Sequence, residues 1–155
     1  MLEFLLQYRA IPQYALFLLV FLAALRWGDG PEKASGAWIL TLPLGELAYH
    51  GILGPEYQTS STDFGHFAMN SAIAAGLLAI ALKANRRYPL WLAAFQLVSV
   101  FGHFVRIPMR DLDGAAYLIL VTAPSYCLIA TLAIGIFRHH RRKAIFGEYR
   151  SWRRS

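Results

Sequence analysis

The stretch "FGHFAMNSAIAAGLLAIALK", residues 64–83, decides the class of fold. A helix of about 20 predominantly apolar residues is long enough to cross a bilayer, and the only Lys, Arg, Asp or Glu in this stretch is the final Lys83. Ala68, Ala72 and Gly76 recur every four positions, a spacing of small residues that lets helix backbones approach closely. The stretch therefore predicts a transmembrane helix that packs at the centre of a bundle.

Four further apolar runs extend this prediction to the whole chain. Of the 155 residues, 57% are hydrophobic and 15% are charged, whereas a soluble domain usually carries about 25% charged residues. One soluble core of this size cannot bury so many apolar side chains. We therefore predict an all-α integral membrane bundle of about five transmembrane helices, with Pro124 expected to kink the last one. The predicted spans are residues 11–27, 36–53, 64–83, 88–106 and 115–137.

The basic residues indicate how the bundle is oriented. With five spans, 12 of the 15 lysines and arginines fall on one side of the membrane, and such an excess marks the cytoplasmic side. We predict a multi-pass protein of the bacterial inner membrane with its N-terminus outside and a basic cytoplasmic tail, residues 138–155. His139 and His140 of this tail are expected to be solvated or to face phospholipid. The basic residues lie in connectors and the tail, so nucleic acid is not an expected partner.

A repeated "FGHF", residues 64–67 and 101–104, indicates a candidate site. Antiparallel spans bring His66 and His103 to the same depth near the outer surface, and His50 near the outer end of the second span adds a third imidazole. Polar groups within lipid usually face the bundle interior or a wet cavity. An outward-facing ligand-binding pocket is therefore predicted, with Asp63 and Arg106 paired at its mouth. Its residues are Glu46, His50, Asp63, His66, Asn70, Gln96, Ser99, His103 and Arg106.

Several functions are compatible with such a pocket. The chain has no nucleotide-binding loop, serine nucleophile elbow or HExxH motif, so we assign no catalytic residues. The preferred hypothesis is a small non-enzymatic protein that binds a lipid, quinone or pigment, or that acts as an accessory subunit of a larger membrane complex or homo-oligomer. The alternative is a membrane redox protein in which His66 and His103 hold haem b. In a metal-binding version, His50, His66, His103 and Glu46 hold a divalent transition metal. Proton or solute transport is a third class, but the cytoplasmic half of every span is nearly all aliphatic.

Three short stretches carry a resemblance to other proteins. "GDGPEK" (28–33), "ANRRYPLW" (84–91) and "YRSWR" (149–153) resemble stretches of a group of small bacterial inner-membrane proteins. The resemblance covers most of the chain and implies a membrane bundle, but it brings no function with it. In size and helix number the chain is also similar to the tryptophan-rich sensory/translocator proteins. It lacks their aromatic–proline motifs, so no residue roles are transferred.

Overall fold

The computed structural model describes residues 10–53, 64–105 and 114–153, and nearly all of these residues lie in α-helices. Within these ranges the only strand-like feature is an isolated antiparallel bridge between Ala84 and Trp152. The all-α class and the five helices within these described ranges agree with the prediction, whereas their crossing of a membrane stays a prediction. The helices are α1 (Ala10–Trp27), α2 (Gly30–Leu53), α3 (Phe64–Lys83), α4 (Tyr88–Val105) and α5 (Gly114–Phe146).

Helix α2 begins before the predicted span because its first turn is capped. The Asp29 backbone N–H donates a hydrogen bond to the Glu32 carboxylate at 3.1 Å, and the Lys33 N–H donates to the Asp29 carbonyl at 2.9 Å. An acidic residue three positions after the N-cap residue forms a capping box. Pro31 lies in the first turn, where its missing N–H costs nothing. The helix therefore starts in the "GDGPEK" turn instead of at residue 36.

Helix α5 continues past the predicted span end at Phe137 and ends at Phe146. Gly147 has a φ of +74°, and its N–H donates to the Lys143 carbonyl at 2.9 Å. A residue in the left-handed region with this hydrogen bond is a common helix C-cap, and glycine adopts it without steric cost. The cap turns the chain back towards the bundle.

Side chains from facing helices show that α2 and α3 run antiparallel. Trp38 packs on Gly76 near one end of the pair, whereas the Tyr49 ring packs on Gly65 near the other. Each of α1 to α4 packs on the helix that follows it, and α5 packs back on α1, so the helices form a closed ring. Helix α2 also contacts α5. The largest buried side chains of the resulting core are Ile39, Leu77, Leu92, Leu128 and Leu132.

The prediction that α3 packs through its small residues is wrong for most of that stripe. Ala68 and Ala72 are exposed, whereas Ile73 and Leu77 are buried. The face of α3 that belongs to the buried core carries Ile73, Leu77 and Ile80. Only Gly76 of the stripe accepts a large neighbour, the Trp38 indole. Helix α3 is accordingly a member of the ring, with α2 and α4 as its neighbours.

Candidate functional site

A polar contact between α3 and α4 lies within the predicted pocket. The side-chain Nε2 of Gln96 donates to Asn70 Oδ1 at 2.8 Å and to the Asn70 carbonyl oxygen at 3.3 Å. The Asn70 Nδ2 in turn donates to the His66 carbonyl oxygen at 2.8 Å. The structure therefore places Asn70 and Gln96 in direct contact, one helical turn from His66 on α3.

The backbone fixes the orientation of both amides. A carbonyl oxygen only accepts hydrogen bonds, so the Asn70 group that faces the His66 carbonyl must be the NH₂ group. Asn70 Oδ1 then faces Gln96, which must present its own NH₂ group in return. The Gln96 NH₂ group thus has two acceptors, both on Asn70. The oxygen is the atom of the Gln96 amide that has no partner in the described residues.

That oxygen is buried without a partner. Gln96 has no solvent-exposed surface, and among the residues that the structure describes nothing donates a hydrogen bond to its Oε1. A buried acceptor without a donor costs about 1–3 kcal/mol relative to a satisfied one. Most buried polar groups in proteins are paired, so each exception requires an explanation. Gln96 Oε1 is therefore the strongest indication of a binding site in the pocket region.

The imidazole of His66 packs against a tyrosine of the neighbouring helix. The ring centroids of Tyr49 and His66 are 4.7 Å apart in an edge-on arrangement. The Tyr49 ring also fills the space above Gly65, which leaves no room there for even a Cβ atom. A haem against that face of α3 would have to displace Tyr49. The haem hypothesis is therefore incompatible with the packing on that side of His66, because Tyr49 occupies the space.

The other predicted pocket residues are only partly within the described structure. Glu46 on α2 and Ser99 on α4 are half-buried. The backbones of His50 and His103 belong to α2 and α4, but their side chains lie outside the described part, as do Asp63 and Arg106. The meeting of three imidazoles therefore stays a prediction. Within the described residues, no three His, Cys, Asp or Glu side chains are grouped to hold a metal ion.

A second polar cluster, at the opposite end of the bundle, was not predicted from the sequence. The Glu32 carboxylate is fully buried, and Arg86 Nη1 lies 2.5 Å from its Oε1. Only 7% of the Arg86 side chain is exposed to solvent. This buried ion pair joins the start of α2 to the connector between α3 and α4. Three polar atoms around it have no hydrogen-bond partner in the described residues: Ser35 Oγ, Arg86 Nε and Tyr88 Oη.

The C-terminal segment after Gly147 docks on this ion pair, and we call residues 147–153 the tail strap. The Ser151 hydroxyl donates to the Asp29 carboxylate and accepts a hydrogen bond from Arg86 Nη2 at 3.2 Å. Backbone hydrogen bonds add to this contact: Asn85 N–H donates to the Ser151 carbonyl at 3.0 Å, and Arg153 N–H donates to the Lys83 carbonyl at 2.8 Å. The Ser151 hydroxyl lowers the pKa of Asp29 because it stabilises the charged carboxylate.

The tail strap also covers a histidine. Only 5% of His139 is exposed to solvent, and its Nδ1 lies 2.7 Å from the Tyr149 hydroxyl. Burial and, next, the nearby Arg86 cation lower the pKa of His139. The expectation that His139 is solvated or faces lipid is therefore wrong, whereas His140 is exposed as expected. Helix α5 continues beyond the span, so one of these adjacent residues turns inward under the strap and the other turns outward.

The sequence held local signals for part of this cluster. Asp29 and Glu32 have the spacing of a capping box, and Gly147 follows a helical run that ends in basic residues, where a C-cap is expected. The contacts of Ser151 with Asp29 and Arg86 join residues that are far apart in the chain, so no local sequence pattern predicts them. The three stretches that carry the resemblance, residues 28–33, 84–91 and 149–153, are the ones that meet here.

Comparison of the chain with protein-family models, curated proteins and solved structures finds no match. By length and apolar composition, one helical segment among the described residues could cross a membrane, Gly65–Lys83. Two other apolar helical segments are shorter, Ile11–Trp27 and Tyr88–Gly102.

Proposed function

We propose that this protein is a non-enzymatic, multi-pass protein of the bacterial inner membrane that binds an apolar ligand bearing a hydroxyl group, of the quinol or lipid-alcohol type. The ligand enters the outward-facing half of the bundle between the helices, because Gln96 has no exposed surface. The observation that carries the proposal is the buried Gln96 Oε1 without a donor. The accessory-subunit and haem or metal alternatives have no comparable contact in their favour among the described residues.

The apolar exterior of the ring supports a location in lipid. Only 28% of the apolar segment of α3 is buried inside the bundle, although a core helix of a soluble protein would be mostly covered. Large contiguous apolar patches on a protein surface indicate contact with a membrane or another protein. The exposed apolar side chains on the other helices include Leu18, Leu19 and Leu22 of α1, Trp91 and Phe101 of α4, and Ile134 and Phe137 of α5.

The chemistry of the open acceptor narrows the ligand. Gln96 Oε1 needs a hydrogen-bond donor, and the Gln96 NH₂ group already donates to Asn70. An oxidised quinone presents only carbonyl oxygens, which accept hydrogen bonds, so it offers nothing to this amide. A quinol or a lipid alcohol presents an O–H donor on an apolar body. We therefore expect the reduced form of a quinone to bind more tightly than the oxidised form.

The test compares binding of a short-chain ubiquinol and the matching ubiquinone to detergent-purified protein under anaerobic conditions, by isothermal titration calorimetry. We expect wild-type protein to prefer the quinol, and Gln96→Leu to weaken quinol binding roughly tenfold, the value of one net hydrogen bond. Gln13→Leu is the matched control. Gln13 is half-buried on α1, which packs on α2 and α5.

Two results would overturn the proposal. The first is equal quinol affinity in wild type and Gln96→Leu, or no binding of either probe. Either outcome would show that Gln96 does not bind the ligand, and an enclosed water would then be the donor to its Oε1. Release of the protein from membranes by alkaline carbonate would exclude the integral membrane location.

A further inference from the structure

One face of α5 changes from apolar to basic along the helix. Ile134, Phe137, Arg138 and Arg141 have i, i+3, i+4 and i+7 spacing and therefore share a face. Ile134 and Phe137 are 56% and 60% exposed, and both arginines are exposed. The Arg141 guanidinium carbon lies 5.8 Å from the centre of the Phe137 ring. This face of α5, residues 134–141, is called the basic boundary face below.

Carboxylates at this end of the bundle do not neutralise the basic boundary face. Asp29 contacts Ser151, Glu32 pairs with Arg86, and Glu148 pairs with Lys143 at 2.6 Å. Within the described part of the chain, no ion pair includes Arg138 or Arg141. The two guanidinium groups are therefore available to an anion from outside the protein.

The position of the two arginines indicates which anion that is. In a membrane-spanning α5, the apolar Ile134 and Phe137 lie in hydrocarbon, and the arginines one turn further on reach the headgroup layer. Arginine binds phosphate through paired N–H donors, and basic residues just cytoplasmic of a membrane helix attract anionic lipids. An anionic phospholipid satisfies both halves of the face, with its acyl chains on the apolar part and its phosphate on the arginines.

We propose that the basic boundary face binds an anionic phospholipid, with the phosphate held between Arg138 and Arg141. This inference rests on the proposed membrane location, but it does not depend on the ligand at Gln96. A charge-assisted arginine–phosphate contact at a fixed site contributes at least about fivefold to the affinity, so removal of both arginines lowers it at least about 25-fold.

The experiment is native mass spectrometry of the detergent-purified full chain, titrated with phosphatidylglycerol and separately with phosphatidylcholine. We expect phosphatidylglycerol adducts to form preferentially on wild type and to weaken at least about 25-fold in Arg138→Gln/Arg141→Gln, because both phosphate contacts are lost. The matched control is Lys33→Gln/Lys83→Gln, which removes the same charge from two exposed positions at the same end of the bundle. The control pair should lose little.

An unchanged phosphatidylglycerol affinity in the arginine variant would overturn the inference. An equal loss in the lysine control would do so as well, because it would show attraction to diffuse charge without a site on α5. The failure of the proposed function has a different signature, since carbonate extraction and quinol binding are measured on protein with an intact basic boundary face.

Discussion

The two polar clusters lie towards opposite ends of the bundle and differ in what they hold together. We call the cluster around Glu32 and Arg86 the inner cluster, and the contact between Asn70 and Gln96 the outer cluster. The inner cluster joins three distant segments through charged groups: Glu32 pairs with Arg86, and Ser151 bridges Arg86 to Asp29. The outer cluster joins two neighbouring helices through neutral amides and leaves one acceptor open. Unpartnered atoms remain in both clusters: Ser35 Oγ, Tyr88 Oη and Arg86 Nε in the inner one, and Gln96 Oε1 in the outer one. The two hydroxyls can donate or accept, Arg86 Nε can only donate, and the Gln96 oxygen can only accept. We therefore expect the inner cluster to secure the fold, and under the proposed function the open Gln96 oxygen of the outer cluster is the atom that meets a ligand.

The largest expected effect tests the stabilising role of the inner cluster. Arg86→Met leaves the Glu32 carboxylate buried without its cation, and an uncompensated buried charge costs about 3–5 kcal/mol. We expect the free energy of unfolding in detergent to fall by that amount, as measured by denaturant titration followed by circular dichroism. The tail strap should also loosen, because Ser151 loses one of its two side-chain partners.

Two further variants make this prediction specific. Arg87→Met removes the same charge from the adjacent, exposed residue and should change the free energy of unfolding by less than about 0.5 kcal/mol. Glu32→Gln in the Arg86→Met background should recover part of the loss, because it removes the stranded charge. If Arg86→Met were as stable as Arg87→Met, the inner cluster would not secure the fold.

A smaller effect is expected at the outer cluster. Asn70→Leu removes the Oδ1 acceptor from the buried Gln96 amide, which costs about 1–3 kcal/mol. Asn70→Leu/Gln96→Leu replaces both amides by apolar side chains of similar size, so its free energy of unfolding should return close to that of wild type. The same denaturant titration measures this double-mutant cycle. A double variant less stable than Asn70→Leu would mean that the amide pair is a structural element, against the contrast with the inner cluster.

The helices could be predicted from the sequence because long apolar runs are a short-range pattern. The sequence also marked Asn70 and Gln96 as pocket residues, but their hydrogen bond to each other was not predicted, because it depends on how α3 and α4 pack. The inner cluster depends on contacts such as that of Ser151 with Asp29, between residues at opposite ends of the chain. His139 and His140 show the limit most clearly. They are adjacent and chemically identical, but helix α5 turns them to different sides, and the docked tail strap covers His139 while His140 is exposed.

The smallest expected effect is a pH dependence of the tail strap. The pKa of His139 is lowered chiefly by burial, then by Arg86, with Lys143 acting in the same direction and Glu32 and Asp29 opposing them. A histidine with a lowered pKa favours the docked strap fully above its ordinary value of about 6.5, and this contribution is lost as the pH falls from there through the folded-state pKa. Acidification from pH 7.5 to 5.5 should therefore loosen the strap. Asp29 does not contribute in this range, because its pKa is lowered from 3.8.

Trp152 reports on this change, because its indole packs over Gly30 when the strap is docked. We expect the tryptophan emission of wild type to shift between pH 7.5 and 5.5, and the shift to be lost in Trp152→Phe, which identifies its source. His139→Asn keeps a hydrogen-bonding group near the Tyr149 hydroxyl but cannot be protonated in this range, so its emission should be constant. His140→Asn, at the exposed neighbour, should behave like wild type. A shift that persists in His139→Asn would assign the pH response to another group and leave the inner cluster insensitive to the protonation of His139.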